Sequence, residues 1–117
     1  RVTGTGVRIW IQPKDIKEKG DSVRYGDVVE VNYRIKLTDG TVLYDLTGRN
    51  ADVIEVGRER RQTGFAEGLT LLREGDRAII VVPSILAYGA LGDRDKIPPR
   101  ATLVYDVIGV SKTGKNR

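Results

Sequence analysis

The stretch "VEVNYRIKLTDGTVLY", residues 29–44, decides the fold. From Val29 to Leu37 every odd position is apolar and every even one polar. A period of two puts Val29, Val31, Tyr33, Ile35 and Leu37 on one buried face of a strand. Asp39-Gly40 is a turn signal, and Val42-Leu43-Tyr44 resumes the extended pattern. The stretch therefore reads as a β-hairpin with one dry face.

Working outward, Val7 to Ile11 alternates as a short strand, and "QPKDIKEKGDS" (12–22) is a polar loop with Pro13 and Gly20. "DLTGRNAD" (45–52) reads as loop and Val53 to Val56 as a strand stopping at Gly57. Phe65, Leu69 and Leu72 recur at helical spacing, with Gly75 placed as the residue after the helix. Arg77 to Val82 is nearly all apolar and predicts a central strand ended by Pro83. Thr102 to Val110 predicts the last strand. The expected class is α+β: a mostly antiparallel sheet of about five strands against one short helix. Residues 1–25 supply an N-terminal strand and loop, 26–110 the core, and 111–117 a loose basic tail.

Composition narrows the chemistry. The chain has 117 residues, 31% charged and 39% hydrophobic, which suits one globular domain. It has no Cys and no His, so thiol nucleophiles, imidazole bases, disulfides and nearly all zinc chemistry are excluded. The formal net charge is +4, concentrated in "GRERR" (57–61) and the C-terminal "SKTGKNR". No aromatic-interleaved basic face accompanies it, so the charge reads as solvated surface and not as a nucleic-acid site. No apolar run reaches membrane-spanning length. The start at Arg1 without Met is compatible with a segment upstream, such as a signal or lipid-anchor sequence.

Three segments carry a family resemblance: "GDVVEVNYRIKLTDGTVLYD" (26–45), "VGRERRQTGFAEGLTLLREGDRAIIVVPSILAYGALGD" (56–93) and "IPPRATLVYDV" (97–107). In order and spacing they resemble an FKBP-type peptidyl-prolyl cis-trans isomerase. "GTGVRIWI" and "LAYGALGDRDKIPP" are similar to envelope-attached bacterial members, which implies a periplasmic or envelope location, with cytoplasm as the alternative.

The resemblance implies a twisted antiparallel sheet wrapped around the helix, with an apolar pocket between them for a proline ring. Tyr33 matches the aromatic wall, Phe65 the floor where Trp is usual, and Tyr88 the loop tyrosine that reaches a ligand carbonyl. Ile97 and Tyr105 match the far wall, Leu43 a pocket-lining Phe, and Ala87 precedes the loop tyrosine. Gln62 stands where a backbone N–H holds the peptide. The catalytic set it implies is Tyr33, Tyr44, Asp45, Phe65 and Tyr88; the binding set is Leu43, Gln62, Ala87, Ile97 and Tyr105. It implies proline-containing polypeptides as partners, macrolides such as rapamycin or tacrolimus as pocket ligands, and no metal, cofactor or nucleic acid.

The chain also departs from that pattern. The family has Asp directly after the pocket Phe; here Leu43 is followed by Tyr44, and Asp45 comes one later. Counting from Asp39-Gly40 places Tyr44 at the acid's position. Arg61 and Gln62 replace an apolar pair, and Lys96 stands beside Ile97 where a second apolar residue is common.

Periodicity alone makes Tyr33, Phe65 and Tyr105 core residues, and Asp45 a turn former. Tyr88 is different, because it lies in a long loop among small residues. Prolyl isomerisation needs none of the missing chemistry. The X-Pro barrier of about 18–20 kcal/mol is amide resonance, which is lost when the bond twists. The twisted amide is less polar, so an apolar slot favours it. A second class, a proline-recognising or chaperone-like module without turnover, fits the substitutions at 44–45 and 61–62.

Overall fold

The alternating stretch from Val28 to Leu37 is the backbone of the sheet. In a computed structural model, which describes residues 1–12, 20–59 and 62–113, it forms the ten-residue strand β2. The other strands are β1 (Arg8–Gln12), β3 (Val42–Leu46), β4 (Asp52–Glu55), β5 (Arg77–Val82) and β6 (Leu103–Lys112). Among the described residues the sheet has six strands, in keeping with the expected antiparallel sheet of about five; all pair antiparallel, with the main path β1-β5-β6-β2-β3 and β4 beside β2. The N-terminal strand β1 joins this sheet as the edge partner of β5; its Ile9, and Val7 just before it, are buried in the core.

The edge of β2 away from β6 is shared. Its C-terminal half pairs with β3 and its N-terminal half with β4. The two short strands meet this edge end to end, joined by a 3-10 turn over Gly48–Asn50. The side chain of Asn32 pins that turn, accepting the Gly48 N–H at 2.7 Å. Tyr33, opposite Leu46 of β3, is the last residue before the change of partner.

The helix α1 spans Thr63–Leu69 and lies against β5. It is shorter than the periodicity suggested. Leu72 is buried but lies past the helix end, so the apolar spacing outlives the helical backbone. Gly75 does have positive φ, at 90°, yet it belongs to a turn leading into β5. Asp76 closes that turn by accepting the Arg73 N–H at 2.9 Å. A short side is needed where the helix meets the sheet: a Cβ at Gly64 would stand 2.5 Å from Val82 Cγ1. The core between helix and sheet holds Val29, Val31, Tyr33 and Ile35 from β2 with Phe65, Leu69 and Leu72, as the alternation predicted. The predicted loose tail begins later than residue 111, because Ser111 and Lys112 extend β6. The polar loop at 13–19, Arg61 and the residues after Thr113 lie outside the described residues.

Candidate active site

Three aromatic rings from three elements meet beneath the N-terminus of α1. Tyr33 of β2 and Phe65 of α1 have ring centroids 4.7 Å apart. Phe65 stacks on Tyr105 of β6 at 4.3 Å and 11° between planes. Sequence places them together for a simple reason. Tyr33 and Tyr105 are inward positions of the paired strands β2 and β6, and Phe65 is on the sheet-facing side of the helix. Offset and tilted ring pairs at these spacings stabilise by roughly 0.5–1.5 kcal/mol beyond area burial.

A cleft of about 190 Å³ opens beside the rings. Tyr33, Gln62 and Phe65 line it, together with Asp52, Ile54 and Ala66 and, from exposed positions, Glu55, Gly57 and Glu59. Ala87, Ile97 and Tyr105 are buried in the same core, while Leu43, Tyr44 and Tyr88 pack against it half-buried. Tyr88 lies close enough to influence both buried phenols. Burial first, then the Tyr88 phenol, pushes Tyr105 well above the usual tyrosine range. Tyr33 is raised by burial, then by the charge and hydrogen bond of Asp52, with smaller contributions from Tyr105 and Tyr88. Both tyrosines are therefore neutral hydroxyl donors at any physiological pH.

Gln62 covers the ring cluster. Its backbone is left-handed, with φ 57° and ψ 33° at the start of α1. Its side-chain Oε1 accepts the Tyr105 hydroxyl at 2.9 Å, and its N–H reaches the Ala87 carbonyl at 3.4 Å. The N–H expected to hold a peptide is thus directed at the chain's own loop, through a long and weak bond.

Tyr44 and Asp45 are separated by the pleat. The pairing of β2 with β3 slips between Ile35 and Lys36, so Leu43 is an extra, bulged residue. Tyr44 then stands opposite Ile35, on the inner side, and Asp45 opposite Arg34, on the outer side. Asp45 accepts from Arg34 Nε at 3.2 Å and Thr47 Oγ1 at 2.6 Å. The Tyr44 hydroxyl donates to Asp93 across the mouth of the 87–97 loop, and Lys96 Nζ lies 4.9 Å from the Tyr44 ring centroid. Asp93 also accepts the backbone N–H groups of Asp95 at 2.9 Å and Ile97 at 2.7 Å, which fixes the loop around Ile97.

The carboxylate that reaches Tyr33 is Asp52. The Tyr33 hydroxyl donates to Asp52 Oδ2 at 2.8 Å. The sequence pattern puts Asp52 at the end of a loop, whereas it is the first residue of β4. Its signal was present: in Asp52-Val53-Ile54-Glu55 the alternation puts Asp52 on the side of Ile54, the inner one.

Comparison with known proteins agrees with this architecture. The profile of the family described as FKBP-type peptidyl-prolyl cis-trans isomerase matches residues 19–108. A probable FKBP-type isomerase, FkpA of Neisseria meningitidis, is 43% identical over 81 residues, covering 69% of this chain and 29% of that protein. FKBP2 of Homo sapiens is 39% identical over 85 residues, covering 72% of this chain and 60% of that protein. The crystal structure of FkpA from Escherichia coli superposes with a TM-score of 0.79 at 28% identity, over 96% of this chain and 51% of that one. The structure of AtFKBP13 superposes with a TM-score of 0.81 at 22% identity, a likeness of fold, over 96% and 97% of the two chains. The chain spans about a third of the bacterial relatives it matches, at 29% and 36% of their lengths. With a matching profile over most of its length and a six-stranded sheet holding one short helix, the chain belongs to the FKBP-type peptidyl-prolyl cis-trans isomerase family.

Proposed function

We propose that the chain catalyses cis–trans isomerisation of X-Pro bonds in polypeptides and so assists their folding. The observation that carries this is the Tyr33–Phe65–Tyr105 ring cluster at the base of a cleft whose wall bears a fixed tyrosine hydroxyl. The proline ring packs against the cleft wall formed by Tyr33 and Phe65, where aromatic surface replaces water. The planar amide loses more hydration there than the twisted one, so the barrier falls. Each tenfold in rate requires about 1.4 kcal/mol of that difference. Tyr88 stands on the loop side to meet the carbonyl, and Leu43, Ala87 and Ile97 form the apolar surroundings. Tyr44 and Asp45 take different parts from those their spacing implied: Tyr44 tethers the loop through Asp93, and Asp45 serves the outer surface through Arg34.

One observation favours a second reading, a proline-binding or chaperone module with slow turnover. Phe65 and Tyr105 are 3% and 0% exposed, and Gln62 closes over them. A peptide gains the full ring cluster only after Gln62 turns aside. The similarity of "GTGVRIWI" to envelope-attached bacterial members supports work in a bacterial envelope, where such a module would meet unfolded chains.

Exchange NMR on an Ala-Leu-Pro-Phe peptide tests the first reading. Acceleration well above the uncatalysed exchange, which takes roughly 10–100 s at 25 °C, is expected. Binding without acceleration favours the second reading. Rapamycin is expected to compete with the peptide and to shift the resonances of Tyr33, Phe65 and Tyr88; no shift at saturation would remove the cleft from consideration.

A further inference from the structure

We infer that Asp52 is the positioning residue for Tyr33 and the working carboxylate of the cleft, giving it a preference for a cationic residue before the proline. This rests on the isomerase reading of the same cleft. The acid that the family carries after the β3 aromatic has, in this chain, been turned out to Arg34 and Thr47 by the bulge at Leu43. Another strand supplies the replacement.

The register explains how. Asp52 pairs with Val31, and residues opposite one another in an antiparallel ladder share a face. Val31 is a core residue, so Asp52 faces inward. Tyr33 lies two residues along β2 on that same face, within reach of a diagonal neighbour. The turn over Gly48–Asn50, held by Asn32, fixes where β4 begins and therefore which residue takes this position.

The bond has a direction. Tyr33 donates, so its proton is committed to Asp52 and its oxygen presents lone pairs to the cleft. Ring rotation about the Tyr33 side chain is restrained at the far end from the backbone. Asp52 lines the cleft half-buried beside Tyr33, whereas Glu55, paired with Arg58 at 3.6 Å, and Glu59 line it from exposed positions. The Asp52 charge is therefore the least screened of the three for a peptide lying there. A Lys or Arg beside the proline is attracted and a Glu is repelled. The effect is screened because the cleft opens to solvent, so a preference of about tenfold in kcat/KM is expected for Lys-Pro over Glu-Pro.

The experiment is exchange NMR on the peptides Ala-Xaa-Pro-Phe with Xaa as Lys, Leu or Glu, at low salt. Wild type is expected to favour Lys over Glu about tenfold. Asp52→Asn keeps an acceptor for Tyr33 and removes its charge; the Lys/Glu ratio should fall by more than half, the remainder coming from the exposed Glu55 and Glu59, while thermal stability stays close to wild type. Asp52→Glu retains the charge and should retain the ratio. Asp52→Ala should also lower kcat more than it raises KM, because Tyr33 is no longer held. A ratio unchanged in folded Asp52→Asn overturns the inference, as does a larger change in Asp45→Asn. Dissociation constants of the same peptides give the same comparison without turnover. Absent turnover with a preserved Lys/Glu preference in binding defeats the isomerase reading alone and leaves the role of Asp52 as the charged wall intact.

Discussion

The Tyr105 hydroxyl donates to Gln62 Oε1 at 2.9 Å, so the side chain that covers the ring cluster is fastened to the ring beneath it. Tyr105 is 0% exposed, and a buried hydroxyl without a partner costs about 1–3 kcal/mol. Gln62→Leu is therefore expected to destabilise by about that amount, and Gln62→Leu with Tyr105→Phe to recover most of it. Denaturant midpoints of the two single variants and the double variant measure the coupling. Additive single effects would mean that the bond contributes nothing.

Phe65→Ala should unfold the protein more readily as well as empty the cleft. Phe65 touches both tyrosine rings, and truncations of this kind cost about 3–5 kcal/mol. The check is the urea midpoint; an unchanged value would show that the helix contact does not depend on this ring.

The Tyr44–Asp93 tether should respond to pH at both ends. Burial works to raise the Asp93 carboxyl, but hydrogen bonds from Tyr44 and from loop N–H groups outweigh it and hold it below its usual 3.8. A depressed acid contributes stability above its unfolded pKa and loses it as pH falls through the lower folded value. Tyr44 is pushed up to about 12, by the Asp93 hydrogen bond first and then by burial. A raised phenol contributes fully below its unfolded value of 10.0 and loses that contribution as pH rises through about 12. The Ile97 amide resonance should thus be flat between these limits and move outside them. Tyr44→Phe should abolish the alkaline step and leave an acid one.

Two glycines of the loop should differ in their tolerance of alanine. A Cβ at Gly92 would lie 2.1 Å from the Ile97 carbonyl oxygen, at φ 66°. At Gly89 the φ is 65° but nothing lies within 4 Å. Gly89→Ala meets backbone strain alone, about 1–2 kcal/mol, whereas Gly92→Ala must also push the loop away from Ile97. Turnover and loop amide shifts should be disturbed more by Gly92→Ala; equal effects would show that the loop relaxes freely.

The parts legible from sequence were those set by local pattern. The alternation of β2 revealed its buried face without reference to any other strand, and the apolar run of β5 marked an inner strand. Apolar spacing overextends the helix because Leu72 keeps helical spacing while packing from the turn that follows. In the cleft, Tyr33, Phe65 and Tyr105 each read as core when taken singly, and only their joint spacing within the family pattern marked them. Tyr44, Asp45 and Asp52 depended on something no local pattern carries, the pairing of short strands with β2. A bulge at Leu43 turned one acid outward, and the start of β4 turned another inward.

The seam where β3 hands the edge of β2 to β4 also bears on how this cleft can diversify. The five residues between the strands, Thr47 to Ala51, form none of the ladder, so their number can change while β2 and β6 remain paired. A single insertion there would send Val53 and Glu55 inward in place of Asp52 and Ile54, exchanging the order of acid and hydrocarbon along the cleft wall. Loop length at this seam is thus a dial for the chemistry of the pocket, turned without redesign of the sheet that supports it.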